Sequence, residues 1–555
     1  MGRLTNDAGT VQFAESPDLH ADQEEVVAQD GSIPAKVSGL VARHRYGLVG
    51  TWLSVTLLAM IGYARQKPFW GDEVIYRWIV TEPSIKWIFR DLLLSLNNDP
   101  PVTHLITHGV TLIFGSGQIG LRLPEMLGVC MALLCLFLTL EIYVDALFAL
   151  AGMLFSFTSL LIFYGWEARP YGLMYGFLSL AVLAWCKLGA GTQHKRAWAA
   201  ALAAALALML GCHFYAVFAL PAFYTAEMVR GRRLRKIAWA TWLAIASASA
   251  SELLYLPLIL ADRKYADGYF QKPELHSIPD MLAGAFPSAA ALLFVFLVLA
   301  VPFAVSRKAA TDPAATGERR AGDDEFAALA LTLSLIPIIG WLAGIFVLKA
   351  FVTRYVLHGL MGLFLLLPLV ASRFSRGNPK VALLLILTFA GWGLHVVGRG
   401  WLNLVEARNP MRSAHPSDPR PFDLASIQSV LGRGQEDVVV ANMEIYLPLA
   451  DYAPALKGRL IDAYDIKMAY EVTRSTTVDH WMEDASRIGW VRGVPWAEYR
   501  QRSFLLLTTA QREDDGSWLA RELAETHRLG PVIATAGKYV IVQVNAPAAS
   551  AGNEP

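Results

Sequence analysis

Long apolar runs separated by short charged loops dominate the first 400 residues of the chain, and a helix needs about 20 such residues to cross a bilayer. The runs fall at roughly 47–64, 120–140, 144–164, 172–188, 197–212, 214–229, 237–259, 281–305, 326–348, 356–372 and 381–398. They predict an all-α polytopic bundle of about 11 transmembrane helices over residues 46–399. Two stretches between the first two runs have a helical pattern without that length. Residues 102–114, about 13 residues with His104 and His108 among them, are too short to cross easily. Residues 83–96 put Ile85, Ile88, Phe89, Leu92 and Leu96 on one helical face against Lys86, Arg90 and Asp91, the pattern of a helix lying on a membrane. After about residue 400 the pattern changes to strand-like runs at 438–441, 504–508 and 539–544 alternating with helical stretches such as 517–527. A small α/β domain over 400–546 is expected there. The polar residues 1–45 and the Ala/Ser/Gly-rich 547–555 lack periodicity and read as disordered tails.

Composition agrees with the spans: 55% of residues are hydrophobic and 17% charged, with a mean hydropathy of +0.39. A soluble multidomain protein is excluded. The net charge of +1 gives no reason to expect a nucleic-acid partner. Basic residues cluster instead in alternate loops: Arg43 and Arg45; Lys187, Lys195 and Arg196; 230–236; Arg307, Lys308, Arg319 and Arg320; and Arg373, Arg376 and Lys380. Such loops stay cytoplasmic. The intervening loops, 65–120, 164–171, the His213 neighbourhood, 262–279 and 349–355, then face outward together with residues 400–546. The run at 47–63 has no convincing cleavage site after it and reads as a signal anchor. Cys130, Cys135, Cys186 and Cys212 lie in or beside apolar runs, which argues against a disulfide framework.

The outward loops carry the candidate chemistry. Phe69-Trp70-Gly71-Asp72-Glu73 puts two adjacent carboxylates just past the first span. They read either as the acidic first turn of a helix or as a general base with a supporting neighbour. Asn97-Asn98-Asp99-Pro100-Pro101 and Leu121-Arg122-Leu123-Pro124 follow in the same loop. Further on stand Trp166-Glu167-Ala168-Arg169-Pro170-Tyr171, then His213-Phe214-Tyr215, then Lys349 and Thr353-Arg354-Tyr355.

In this order the motifs resemble the bacterial dolichyl-phosphate-mannose-protein mannosyltransferase-like family of the GT-C superfamily, which includes the aminoarabinose transferases. The matches run from about residue 47 to 375. The family often has His before the Pro-Pro pair, where this chain has Asp99. The resemblance implies transfer of a sugar from a polyprenyl-phosphate donor to a lipid, glycan or protein acceptor on the outer face of the bacterial plasma membrane. It implies Asp72 as base and Glu73 in support.

Arginine donates paired hydrogen bonds to phosphate and keeps its charge, so Arg169 and Arg354 are candidates for a phosphate clamp, with Lys349 and Arg122 behind them. Each also fits an interface-anchoring cation. Glu167, Asp99, His213, Tyr171, Tyr215 and Tyr355 are candidate substrate contacts, though tyrosines at span ends are common without catalysis. His104 and His108 share a helical face without a third ligand, and no metal is assigned, a divalent ion at His213 remaining open. No phosphate-binding glycine loop for a nucleotide is present. Two other readings remain: a transporter or flippase for a lipid-linked glycan, which calls for ionisable groups near span centres and repeated halves, and a receptor whose spans only anchor an outer domain.

Overall fold

The computed structural model describes residues 33–265, 268, 272–286, 322–405, 424–432, 434, 436–509, 517–536 and 539–547. The expected tails before residue 33 and after 547, most of the run at 281–305, and the basic loop with Arg307, Lys308, Arg319 and Arg320 lie outside them. Among the described residues, six helical segments are long and apolar enough to cross a membrane: Lys36–Gln66, Gln118–Tyr143, Tyr171–Gly189, Trp239–Tyr265, Thr353–Phe374 and Pro379–Val405. A seventh arises if Asp323–Ser334 and Ile336–Leu348, which meet at 42°, form one bent span.

The expected count of about 11 is thus met only in part. The run at 144–164 is helical over Ala146–Phe155, then turns through short 3₁₀ pieces at Ser156–Thr158 and Ile162–Trp166. The hydroxyls of Ser156, Thr158 and Ser159 donate to the carbonyls of Met153, Phe155 and Ser156, drawing acceptors out of a continuous ladder. The run at 197–212 is a helix of only 16 residues, Lys195–Leu210. The first helix, α1 (Ile33–Gln66), begins well before residue 45, so residues 33–45 extend the first span instead of belonging to a tail.

Close helix approaches depend on glycine. A Cβ on Gly128 of α5 (Gln118–Tyr143) would lie 2.4 Å from the backbone of Gly172 in α6 (Tyr171–Gly189). In the loop between α1 and α5 lie α2 (Gly71–Val80), α3 (Ile85–Leu93) and α4 (Pro101–Phe114). Neither α3 nor α4 is long enough to span. Leu112, Ile113 and Phe114 at the end of α4 are 75%, 77% and 63% exposed. On α3 the expected apolar face divides: Ile88 and Leu92, with Leu96 beyond, are buried, while Ile85 and Phe89 are exposed.

Charged groups gather at the two ends of the bundle. At one end Arg45 pairs with Glu141, Arg233 with Glu325 at 2.6 Å and Arg373 with Asp323 at 2.8 Å. At the other, roughly 30 Å away along α1, lie α2 to α4, the 166–171 turn, His213 and Arg354. The C-terminal domain covers this second end. It is built on a six-stranded sheet of order β3-β2-β1-β4-β6-β5, in which β1 (Val438–Val440), β2 (Leu460–Tyr464), β3 (Gly493–Pro495) and β4 (Phe504–Thr509) run parallel. β5 (Leu529–Ala536) and β6 (Tyr539–Val544) complete it antiparallel. All three valines of β1 are buried, as befits a central parallel strand covered on both faces.

The domain docks on α2 through α7 (Met443–Tyr452): Asp451 accepts from Arg77 at 2.6 Å and from the Trp78 indole at 3.0 Å, and the Tyr452 hydroxyl accepts from the Phe69 amide at 2.8 Å. One apolar core joins Phe69, Val74, Tyr76 and Ile88 of the loop to Val438, Ile445 and Tyr446 of the domain.

Candidate active site

Trp70 is extended (φ −100°, ψ 174°) and the helix begins at Gly71, so Asp72 and Glu73 occupy its first turn, where carboxylates meet the free amide groups. Neighbours on a helix diverge by about 100°, and the two acids go to different places. Glu73 turns inward and is fully buried. It accepts from Arg122 at 2.8 Å (Nε to Oε1) and 2.6 Å (Nη2 to Oε2), and from the Ala168 amide at 2.7 Å. Lys67 stands 3.7 Å away. Burial alone would raise its pKa, but Arg122 and Lys67 prevail and hold it at about 2. Arg122 also donates to the carbonyls of Ala64, Lys67 and Pro68, tying the end of α1 to the start of α2.

Asp72 turns into a cavity of about 720 Å³ between the bundle end and the C-terminal domain. Its Oδ2 lies 3.3 Å from Arg169 Nη1 and 3.3 Å from Arg354 Nη2. Arg169 comes from the turn whose Ala168 amide Glu73 holds and whose Glu167 carboxylate is held by Lys67 and by the Trp70 indole, the latter at 3.2 Å. Arg354 comes from the start of a late span, 282 residues from Asp72 in sequence. The Nε of each arginine is buried and has no hydrogen-bond partner among the described residues. Both arginines line the cavity, so an anion entering it meets two cations that share one carboxylate.

Asp99 lines the same cavity. Burial, opposed by Arg169, pushes its pKa up to about 6. Its Oδ1 is 3.6 Å from His213 Nε2. His213 Nδ1 accepts the Tyr215 amide at 3.1 Å, which leaves the ring proton on Nε2, facing Asp99. Tyr171, His213, Tyr215 and Tyr355 pack against one another in tilted and edge-on contacts, with centroids 4.7 Å apart for His213 and Tyr355 and 5.6 Å for Tyr171 and His213. Of these four only Tyr355 lines the cavity; the others form a layer behind the arginines.

Glu73, Glu167, Arg122 and Lys349 do not line it either. The first three form the buried latch just described, because their charges are consumed by one another and by backbone carbonyls. Lys349 sits on a left-handed turn (φ 55°) closing the helix before Arg354. Glu73, expected in support of Asp72, and Arg122, expected behind the phosphate clamp, are instead bonded to each other away from the cavity. His104 and His108 bond through Nδ1 to the carbonyls of Pro100 at 3.3 Å and Val80 at 2.8 Å. Among the described residues no three His, Cys, Asp or Glu side chains converge as metal ligands.

Sequence reasoning missed Lys67 and, more consequentially, Glu444. Its carboxyl packs on Gly71, where an added Cβ would come within 2.8 Å of Oε2. Its side chain is open to the cavity, where desolvation, with repulsion from Asp72, pushes its pKa up to about 7. A signal was present: an apolar strand followed by Asn442, whose side chain caps α7 by accepting the Glu444 amide at 2.7 Å.

Residues 98–255 match the family described as dolichyl-phosphate-mannose-protein mannosyltransferase. The structure of ArnT from Cupriavidus metallidurans bound to undecaprenyl phosphate superposes with a TM-score of 0.51 at 12% identity, covering 90% of this chain and 98% of that one. The chain shares the fold of this ArnT. The apo form of the same ArnT gives the same values. The Archaeoglobus fulgidus oligosaccharyltransferase aligns over 82% of this chain and 69% of its own at 10% identity, with a TM-score of 0.36 too low to bear on the fold. No curated protein matches by sequence. The family match includes Asp99, Arg122, Arg169 and His213, whereas Asp72, Arg354 and the C-terminal domain lie beyond it.

Proposed function

We propose that this protein is an integral membrane glycosyltransferase that moves a sugar from a polyprenyl-phosphate carrier to an acceptor at the Asp72 cavity. The carrying observation is the convergence, from three separate loops, of one carboxylate and two arginines on a cavity at the bundle end. In the reaction the bond between the anomeric carbon and the phosphate oxygen breaks. The carrier leaves as a phosphate monoester, an anion stable enough to need no strong acid. Arg169 and Arg354 neutralise it with forked hydrogen bonds. Asp72 takes the proton of the acceptor hydroxyl as its oxygen bonds to the anomeric carbon, and a single displacement inverts that centre.

The buried latch of Glu73, Arg122, Lys67 and Glu167 fixes the approach of Asp72 to Arg169, the kind of alignment from which much of the rate of such a transfer derives. The charge alternation of the loops supports a cavity on the outer face of the bacterial plasma membrane with the N-terminus in the cytoplasm. The carrier tail lies in the bilayer beside the cavity, gaining about 0.8 kcal/mol per buried methylene. Hexose and pentose donors are both compatible with this chemistry, and no step is routed through a metal. Asp72→Asn should abolish transfer while leaving insertion and carrier binding intact; a fully active variant would remove Asp72 from the role of base.

A further inference from the structure

The wall of the cavity opposite the arginines belongs to the C-terminal domain, and its position follows from the sheet. Strands β1, β2 and β3 succeed one another in one direction, and the chain then returns to the other side of β1 as β4. In open parallel sheets ligands bind outside the carboxyl ends of the strands where the order reverses in this way. The cavity is lined there by residues 441–444, which leave β1, by Asp462 and Ala463 of β2, and by residues 517–519 after β4. Its volume, about 720 Å³, falls within the roughly 300–1,000 Å³ of small-molecule sites.

The side chains have a marked character. Asp462 is 6% exposed, faces the cavity, and has no side-chain hydrogen bond or ion pair with any described residue. A buried carboxylate without a partner is costly unless something else supplies donors. Asp479 beside it accepts the Asp465 amide at 2.8 Å and the Trp518 indole at 2.9 Å. The ring of Trp481 is fixed by its bond to the Leu96 carbonyl at 2.8 Å, and Trp518 is fixed through Asp479. Glu444 closes the row next to Gly71 and Asp72. Burial holds the Asp462 carboxyl well above the usual carboxylate range and Glu444 stands at about 7, so the row carries little charge; carboxyl groups that exchange hydrogen bonds with hydroxyls, beside fixed indoles, suit an uncharged polyhydroxyl compound.

We propose that this switch-point crevice is the acceptor subsite and that it takes a neutral carbohydrate chain, presenting one sugar hydroxyl to Asp72. The inference rests on the glycosyltransferase reading and adds the acceptor class to it. Asp462 and Glu444 accept hydrogen bonds from the acceptor sugar, and the indoles cover its apolar face. Arg169 and Arg354 on the opposite wall hold the donor phosphate, so donor and acceptor enter from different domains.

The test uses the full-length protein in lipid nanodiscs and saturation-transfer NMR with mannotriose, maltotriose and cellotriose, beside a cationic Ser/Thr-rich octapeptide. Undecaprenyl phosphate binding is measured on the same samples. The expected result is saturable binding of at least one trisaccharide, weakened at least tenfold by Asp462→Asn, with undecaprenyl phosphate binding unchanged in that variant. Absence of binding by every trisaccharide, wild-type binding by Asp462→Asn, or preferential binding of the peptide would overturn the carbohydrate assignment. Failure of the wild type to bind undecaprenyl phosphate would instead remove the glycosyltransferase reading, and the two failures are read separately.

Discussion

Replacing Glu73 with Gln separates positioning from chemistry at adjacent residues. In the native protein Arg122 is fully buried and its only carboxylate hydrogen bonds, at 2.8 and 2.6 Å, go to Glu73. Removing one partner of a buried pair leaves an uncompensated charge and costs about 3–5 kcal/mol. The low end applies, because Arg122 keeps its bonds to the carbonyls of Ala64, Lys67 and Pro68 and a glutamine oxygen still accepts one. Asp72→Asn also takes the carboxylate from the buried Arg169, but its two contacts are long, at 3.3 Å, and open to the cavity, so the cost is lower, about 1.5–3 kcal/mol.

Against a total stability of about 5–15 kcal/mol, Glu73→Gln should therefore lower the thermal unfolding midpoint in detergent at pH 7 clearly, and Asp72→Asn by less. The pH dependence has a defined sign. Glu73 has its pKa lowered from 4.5 to about 2, so its contribution is complete above about pH 4.5 and is lost as pH falls through about 2. The stability gap between wild type and Glu73→Gln should shrink only in strong acid. A Glu73→Gln protein with the wild-type midpoint at pH 7 and no transfer activity would refute the reasoning and return Glu73 to the chemistry.

Arg354→Ala should raise the KM for the lipid donor at least tenfold with a smaller effect on the acceptor; equal effects on both would remove it from the phosphate clamp. Glu444 is raised from 4.5 to about 7, so its stabilising effect is complete below about pH 4.5 and fades as pH rises through about 7. Glu444→Gln should accordingly gain in unfolding midpoint relative to wild type between pH 5.5 and 8.5, and a constant difference would mean that the carboxyl does not titrate there. Alkaline phosphatase fused to the C-terminus should be active in intact cells, whereas a fluorescent cytoplasmic reporter at the same position would invert the topology.

The bundle was legible because spans and loop charges are local patterns, and the loops at 65–120, 166–171, 213–215 and 353–355 were read as one group and meet at one end. The count of spans was not, since a run such as 144–164 is apolar enough to cross while its Ser156, Thr158 and Ser159 hydroxyls break the helix. Within the site, Asp72, Arg169 and Arg354 were legible as residue types in place. The different fates of Asp72 and Glu73 were not, because only the burial of Arg122 against Ala64, Lys67 and Pro68 determines which acid is consumed. Glu444 and Asp462 lay beyond sequence reasoning for another reason: their meeting with Asp72 depends on how the C-terminal domain docks on α2, a contact between segments more than 370 residues apart.

The most direct measurement supplies the purified protein in nanodiscs with an undecaprenyl-phosphate-linked sugar and bacterial membrane glycans, and follows free undecaprenyl phosphate by mass spectrometry. Release by the wild type that depends on added glycan, with none from Asp72→Asn, is the predicted result. Equal release by both proteins, or no release by the wild type with any sugar, would contradict the account.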